Sequence, residues 1–166
     1  MSIIGINVKE RQKNQIKKEL ELEGIKVELV SITPKSIENI KKVKFKILII
    51  QNSLEELKEN QELIREILKN VNYLILNTDI NINEEIFKDI NLQILTYGLR
   101  QKATITVSSI EENKIMISIQ RAFKGMNGKE IGQQEIPLKI VGRNTKNLYN
   151  SLIKTAIINI IDAKKC

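Results

Sequence analysis

The sequence predicts an α/β fold: a three-layer α/β/α sheet, mostly parallel in its N-terminal part, with an antiparallel C-terminal extension and a closing helix. Three observations carry this expectation. From Ser2 to Asn70, short apolar runs alternate with charge-rich amphipathic stretches, the pattern of parallel strands joined by right-handed crossover helices. The runs YLILNTD (73–79) and LQILTYG (92–98) are nearly solid apolar, as in strands covered on both faces. ATITVSS (103–109) and KIMISIQRA (114–122) instead alternate, as antiparallel strands with one wet face do, so the sheet is expected to change character between Gly98 and Ala103.

In chain order, SIIGIN (2–7) reads as a short buried strand. A helix follows from Val8 to Glu23, with Ile16, Leu20 and Leu22 as a thin apolar face among charges. Gly24 is placed to end it in a left-handed cap. IKVELVSI (25–32) is the next strand, and Pro34 suits the first turn of a helix over SIENIKKV (36–43). FKILIIQN (45–52) is the most apolar strand. Ser53 and Glu56 have the spacing of a capping box, which opens a helix to about Asn70 with Leu54, Leu57, Ile64, Ile67 and Leu68 buried. NINEEIFKDI (81–90) is a short helix between two strands. Asn127-Gly128 marks a hairpin turn, and Pro137 confines EIGQQEIPLKI (130–140) to a sheet edge or bulge. LYNSLIKTAIINIIDA (148–163) is a largely apolar helix expected to pack on the sheet.

At 166 residues, 42% hydrophobic and 28% charged, the chain is expected to be one domain, 1–166, with an ordinary core. No apolar run approaches the roughly 18 residues needed to cross a bilayer, and no signal-peptide pattern opens the chain, so a cytoplasmic protein without a membrane partner is expected. Cys166 stands alone, which excludes an internal disulfide and reads as an exposed thiol on a basic tail. The net charge of +7 suggests a nucleic-acid surface. Against this, Lys far outnumbers Arg and alternates with Glu on the expected helices, as in a chain shaped by AT-rich codons. An aromatic content of 4% also leaves few stacking platforms for single strands.

The strand ends NTD (77–79) and TYG (96–98), followed by alternating strands and then KNLYN (146–150), resemble the second half of the central, ATP-binding domain of Mur ligases and folylpolyglutamate synthetases. In that family a strand ending N-x-D-D precedes one ending T-Y/F-G, and the domain closes on a helix beginning H-N-x-x-N. The resemblance implies a bacterial, shortened copy of that domain. It also implies a relic nucleotide site lined by Asn77, Asp79, Thr96 and Asn147, at the strand ends where open α/β sheets bind ligands. By the same resemblance Asn147 approaches the adenine; read from the residues alone, it caps a helix.

The family's catalytic groups are not matched. A P-loop needs glycines to wrap phosphate, then Lys and Ser or Thr. Here the corresponding stretch is IIGINVKERQ (3–12), in which Gly5 retains a first-turn glycine at most. No glycine precedes Lys9, and Glu10 stands where the metal-binding hydroxyl belongs. At the second motif, Leu29 occupies the place of a Mg²⁺-binding Glu, and Glu28 points to the opposite face of its strand. Asn52 and Leu57 survive from a third motif, with Glu56 at the place of a His. Ile80 replaces the second Asp of N-x-D-D, and Lys146 replaces the closing His. The chain has no His at all, which excludes imidazole triads and His/Cys metal clusters. The adjacent acids Glu55/Glu56 and Glu84/Glu85 diverge on a helix and read as solvated faces.

Three functions are weighed on this basis. The first is a non-catalytic Mur-ligase-like binding or scaffolding module with a protein partner or self-association, linked to cell-wall synthesis by the resemblance alone. The second is a protein that binds a nucleotide or UDP-sugar weakly without turnover. The third is a nonspecific nucleic-acid binder acting through a Lys-rich surface. No cofactor, metal or catalytic residue is assigned.

Overall fold

A computed structural model describes residues 1–161; Cys166 and the expected thiol lie outside them. The chain divides into two compact units, the first Met1–Ile94 and the second beginning at Leu95.

In the first unit four parallel strands, β1 (Ser2–Asn7), β2 (Val27–Ser31), β3 (Ile47–Ile50) and β4 (Tyr73–Asn77), lie in the order β4-β3-β1-β2. They alternate with α1 (Glu10–Leu22), the single turn α2 (Ile37–Ile40) and α3 (Gln61–Lys69). The chain steps one way from β1 to β2 and the other way from β2 to β3 and β4. Right-handed crossovers then put α1 on one face and α2 and α3 on the other. Burial agrees. Leu48, Ile50 and Leu74 share a core cluster with Ile37, Ile40, Ile64, Ile67 and Leu68 of α2 and α3. Ile4, Ile6, Ile47, Ile49 and Ile75, also fully buried, point to the opposite face.

Several local expectations are corrected. Of the residues expected to bury on α1, Ile16 and Leu20 do, but Leu22 is 79% exposed and Gln12 is buried in its stead, because six positions past Ile16 the helix has turned away. Gly24 ends α1 at φ +78°, with the Ile25 amide donating to Leu20 O at 2.9 Å. The helix expected over 36–43 shrinks to one turn. There Ser36 Oγ donates to Ser31 O at 2.7 Å rather than capping α2. Ser53 receives the amide of Glu55, not Glu56, at 3.2 Å. The chain then winds as a 3-10 helix over Leu54–Asn60 before α3 begins.

In the second unit β7 (Lys114–Ile119) is the centre of an antiparallel ladder with β6 (Ile105–Ile110) on one side and β10 (Gln134–Lys139) on the other. β5 (Gln93–Tyr97) meets β6 in parallel, through Tyr97 and Ile105. The sheet therefore changes character one strand later than expected, after β6. Nor is β5 covered on both faces, since Ile94 is 48% exposed. β8 (Phe123–Lys124) and β9 (Glu130–Ile131) form the hairpin expected at Asn127-Gly128, with Gly128 at φ +78°. The closing helix α4 (Thr145–Ile161) buries Leu148, Leu152, Ile153, Ala156, Ile157 and Ile160.

Candidate functional site

Three neighbouring strands of the first unit carry an asparagine at or near their ends: β1 ends at Asn7, β4 ends at Asn77, and Asn52 follows the end of β3 at Ile50 by two residues. Their side chains tie the strand ends together. Asn7 Oδ1 accepts the amides of Gln51 at 2.7 Å and Asn52 at 3.3 Å, and its Nδ2 donates to Asn52 O at 3.0 Å. Asn52 Nδ2 returns a bond to Asn7 O at 3.2 Å. From the other flank Asn77 Nδ2 donates to Gln51 O at 3.2 Å, so the buried Gln51 peptide is held on both its N–H and its C=O. Strand ends in open α/β sheets expose backbone groups that require partners; here the protein's own amides supply them.

Beyond this row lies a crevice of about 560 Å³, lined by Asn7, Lys9 and Glu10 at and after the end of β1, Ser31, Thr33 and Pro34 at and after the end of β2, and Asn52, Ser53, Glu55, Glu56 and Leu57 after β3. It sits where the strand order reverses between β1 and its two neighbours, the position at which such sheets bind ligands. Only Val8 and Lys9 separate β1 from α1, and Val8 is buried. Two residues cannot wrap a phosphate.

The start of α1 carries partial positive charge from its unpaired amides. Glu10 already stands there, accepting a hydrogen bond from Ser31 Oγ at 3.1 Å and an ion pair from Lys13 at 2.9 Å. The bond from Lys13, then that from Ser31, holds its carboxyl below the usual range. Glu55 and Glu56 add two further carboxylates to the crevice against Lys9. Its lining therefore repels anions, although the whole chain is basic.

Gly5 does not form a loop. It lies inside β1, opposite Val30 and Leu48, and a Cβ there would meet the δ-methyls of Ile32 and Leu48 at 2.9 Å. Leu29 is buried, and Glu28 turns outward to Lys17 Nζ at 3.4 Å. Among the described residues no group of three or more His, Cys, Asp or Glu is placed to hold a metal, and no helix is long and apolar enough to cross a membrane.

Of the four residues expected to line a nucleotide site, Asn77 and Asp79 fall in the first unit, and Thr96 and Asn147 in the second. Asn77 Oδ1 accepts the Asp79 amide at 2.9 Å, closing a turn after β4. Thr96 Oγ1 accepts the Thr104 amide at 2.9 Å. Asn147 Nδ2 donates to Val141 O at 2.7 Å. Asn144, not Asn147, caps α4, receiving the Asn147 amide at 2.9 Å. Each of these bonds is structural. Ser31 and Thr33 of the crevice carry no signal in the sequence; what locates this end of the sheet is asparagine at the ends of β1 and β4 and two residues past β3.

No protein-family model matches the chain, and no curated protein does. Among solved structures it is similar to the apo form of D-lactate dehydrogenase from Escherichia coli (16% identity, 58% of this chain, 30% of that one, TM-score 0.38). It is also similar to D-lactate dehydrogenase from Salmonella (19% identity, 58% and 29%, TM-score 0.37). CapF in complex with 3-isopropenyl-tropolone matches along nearly all of this chain (9% identity, 99% and 64%, TM-score 0.42). The chain thus spans less than a third of the dehydrogenases it matches. At these scores the likenesses carry no argument about chemistry.

Proposed function

We propose that this chain is a non-catalytic binding or scaffolding domain on a Mur-ligase-like frame, in which the protein's own side chains fill the places that a nucleotide's phosphates and metal would need. The observation that carries this reading is Glu10, seated at the start of α1 and held there by Lys13 and Ser31. A phosphate entering the crevice would displace a carboxylate from its two partners and then face Glu55 and Glu56. The shortness of the Val8–Lys9 link adds support, as does Asn7, whose Oδ1 takes up the Gln51 and Asn52 amides that an anion at the end of β3 would otherwise meet. What remains for such a domain is recognition of a protein partner or a second copy. The link to cell-wall synthesis rests on the sequence resemblance alone.

Calorimetric titration of the whole chain with ATP, ADP and UDP-muramyl peptides, with and without Mg²⁺, tests the reading. No heat of binding is expected at millimolar ligand. Saturable binding of any of them would replace this reading with that of a nucleotide or UDP-sugar binder. Light scattering across a concentration series addresses the second half, with assembly beyond a monomer as the expected result.

A further inference from the structure

Asn127 is the only asparagine of the chain that is followed by glycine. The pair forms the tip of the hairpin between β8 and β9, and both residues are exposed. Gly128 N–H donates to Gly125 O at 3.0 Å, and Gly125 N–H donates to Lys129 O at 2.9 Å. With Gly128 at φ +78°, the turn is closed by a left-handed glycine. Asn127 Oδ1 accepts the Lys129 amide at 2.9 Å, so the carboxamide lies along the backbone that follows it. The asparagines at the strand ends differ. Asn7 and Asn77 are buried with their side-chain amides engaged, and they precede Val8 and Thr78.

We propose that Asn127 is a site of spontaneous modification, at which the chain converts its own asparagine to aspartate and isoaspartate through a cyclic imide. The Gly128 nitrogen attacks Cγ of Asn127 and gives its proton to water. The Cγ–Nδ2 bond breaks, and Nδ2 takes up a proton and leaves as ammonia. Water then opens the five-membered ring. Addition at Cγ gives aspartate, and addition at the backbone carbonyl carbon leaves the chain running through Cγ as isoaspartate. No step is a redox step, and water is the only co-reactant.

The turn both assists and restrains this reaction. A glycine nitrogen has no Cβ beside it, and beyond its chain neighbours nothing lies within 4 Å of where one would stand, so ring closure is uncrowded. As Cγ becomes tetrahedral, charge gathers on Oδ1, where the Lys129 amide already donates at a distance suited to an oxyanion. Against this, the Gly128–Gly125 bond must open before the nitrogen can attack, so hairpin opening sets the pace. The product acts beyond the tip. Met126 N–H, next to Asn127, donates to Ile160 O in the last turn of α4 at 2.9 Å. Isoaspartate adds a carbon to the backbone between Met126 and Gly128, which the bonds of the turn and this contact cannot all absorb. Either product also puts a carboxylate into Gln120–Lys129, a stretch that has none, beside a helix end that carries partial negative charge. Modification therefore loosens the hairpin and the end of α4.

Ageing the full chain at neutral and at alkaline pH tests this, with the masses of proteolytic peptides and methylation by an isoaspartyl-specific methyltransferase as readouts. The peptide holding Asn127 should exchange its amide for a carboxyl, faster at alkaline pH and with isoaspartate among the products, while peptides holding the other asparagines keep their masses. Asn127→Gln, whose amide stands one carbon farther from the Gly128 nitrogen, should abolish the change and keep the fold. Ile131→Ala removes the buried side chain opposite Phe123 in the hairpin and should speed the reaction several-fold. In the aged protein, hydrogen exchange should quicken in residues 123–131 and in the last turn of α4. The proposal is overturned by an Asn127 peptide that keeps its mass at alkaline pH, by equal loss at other asparagines, by an unchanged rate in Ile131→Ala, or by exchange in α4 that ageing leaves unaltered.

Discussion

Asn7 and Asn52 bind each other in both directions across the ends of β1 and β3: each side-chain amide donates to the other's backbone carbonyl, at 3.0 and 3.2 Å. The pair closes the sheet at the point where a ligand would meet it. Removing Asn7 orphans the buried Gln51 amide, and each unpartnered buried donor costs about 1–3 kcal/mol. Asn7→Ala should therefore lower stability by about 2 kcal/mol, read by urea denaturation, whereas Asn52→Ala, at an exposed position, should cost less.

Gly5 separates a loop glycine from a strand glycine experimentally. A phosphate-loop glycine tolerates no side chain, whereas Gly5 lies in an extended strand, and the atoms nearest a new Cβ are the mobile ends of Ile32 and Leu48. Gly5→Ala should cost about 1 kcal/mol or less, because better strand propensity offsets the crowding. Gly5→Val, with two further methyl groups in a filled core, should cost about 1–3 kcal/mol. Thermal melts of the two variants rank them directly.

Arg65 of α3 holds the segment after β4. Its guanidinium donates to Glu85 O at 3.1 Å, Ile86 O at 2.9 Å and Lys88 O at 2.9 Å, three carbonyls in one fork. Lysine cannot reproduce that planar geometry. Arg65→Lys should lose about 1–2 kcal/mol, with hydrogen exchange accelerating first in residues 81–90 and little changed in β1 and β3.

Glu10 gives the acid limb of stability its sign. Its carboxyl lies below the ordinary value of 4.5 in the folded chain because Lys13 and Ser31 donate to it. A depressed carboxyl stabilises the fold above its unfolded value, and this contribution fades as pH falls through the folded one. The difference in melting temperature between wild type and Glu10→Gln should be constant from neutral pH to about 4.5 and should shrink below that.

Strands were legible because burial on both faces leaves no choice of residue: ILII of β3 and YLILN of β4 read as strands from composition alone. Short helices were not, because side chains compete there with the backbone. Ser36 satisfies the Ser31 carbonyl, and Ser53 closes a two-residue turn, so each helix expected at those serines starts late or stays short. At the site, the sequence showed that Glu10 opposes phosphate, a matter of charge type alone. It did not show that Ser31 would hold that carboxylate, since a contact 21 residues apart depends on which strand lies beside β1, whereas the Lys13 pair is local to α1, three residues along the helix. Strand order is the one property that periodicity does not encode.

Pro137 also governs what β10 does at its outer rim. The ladder to β7 is continuous from Gln134 to Lys139, so the N–H that proline lacks is missing on the outward side. A strand from another molecule approaching that rim finds a gap in mid-edge, flanked by Glu135 and Lys139. Crowding or partial unfolding should therefore not recruit chains into a growing ribbon there, and the sheet has a built-in terminus.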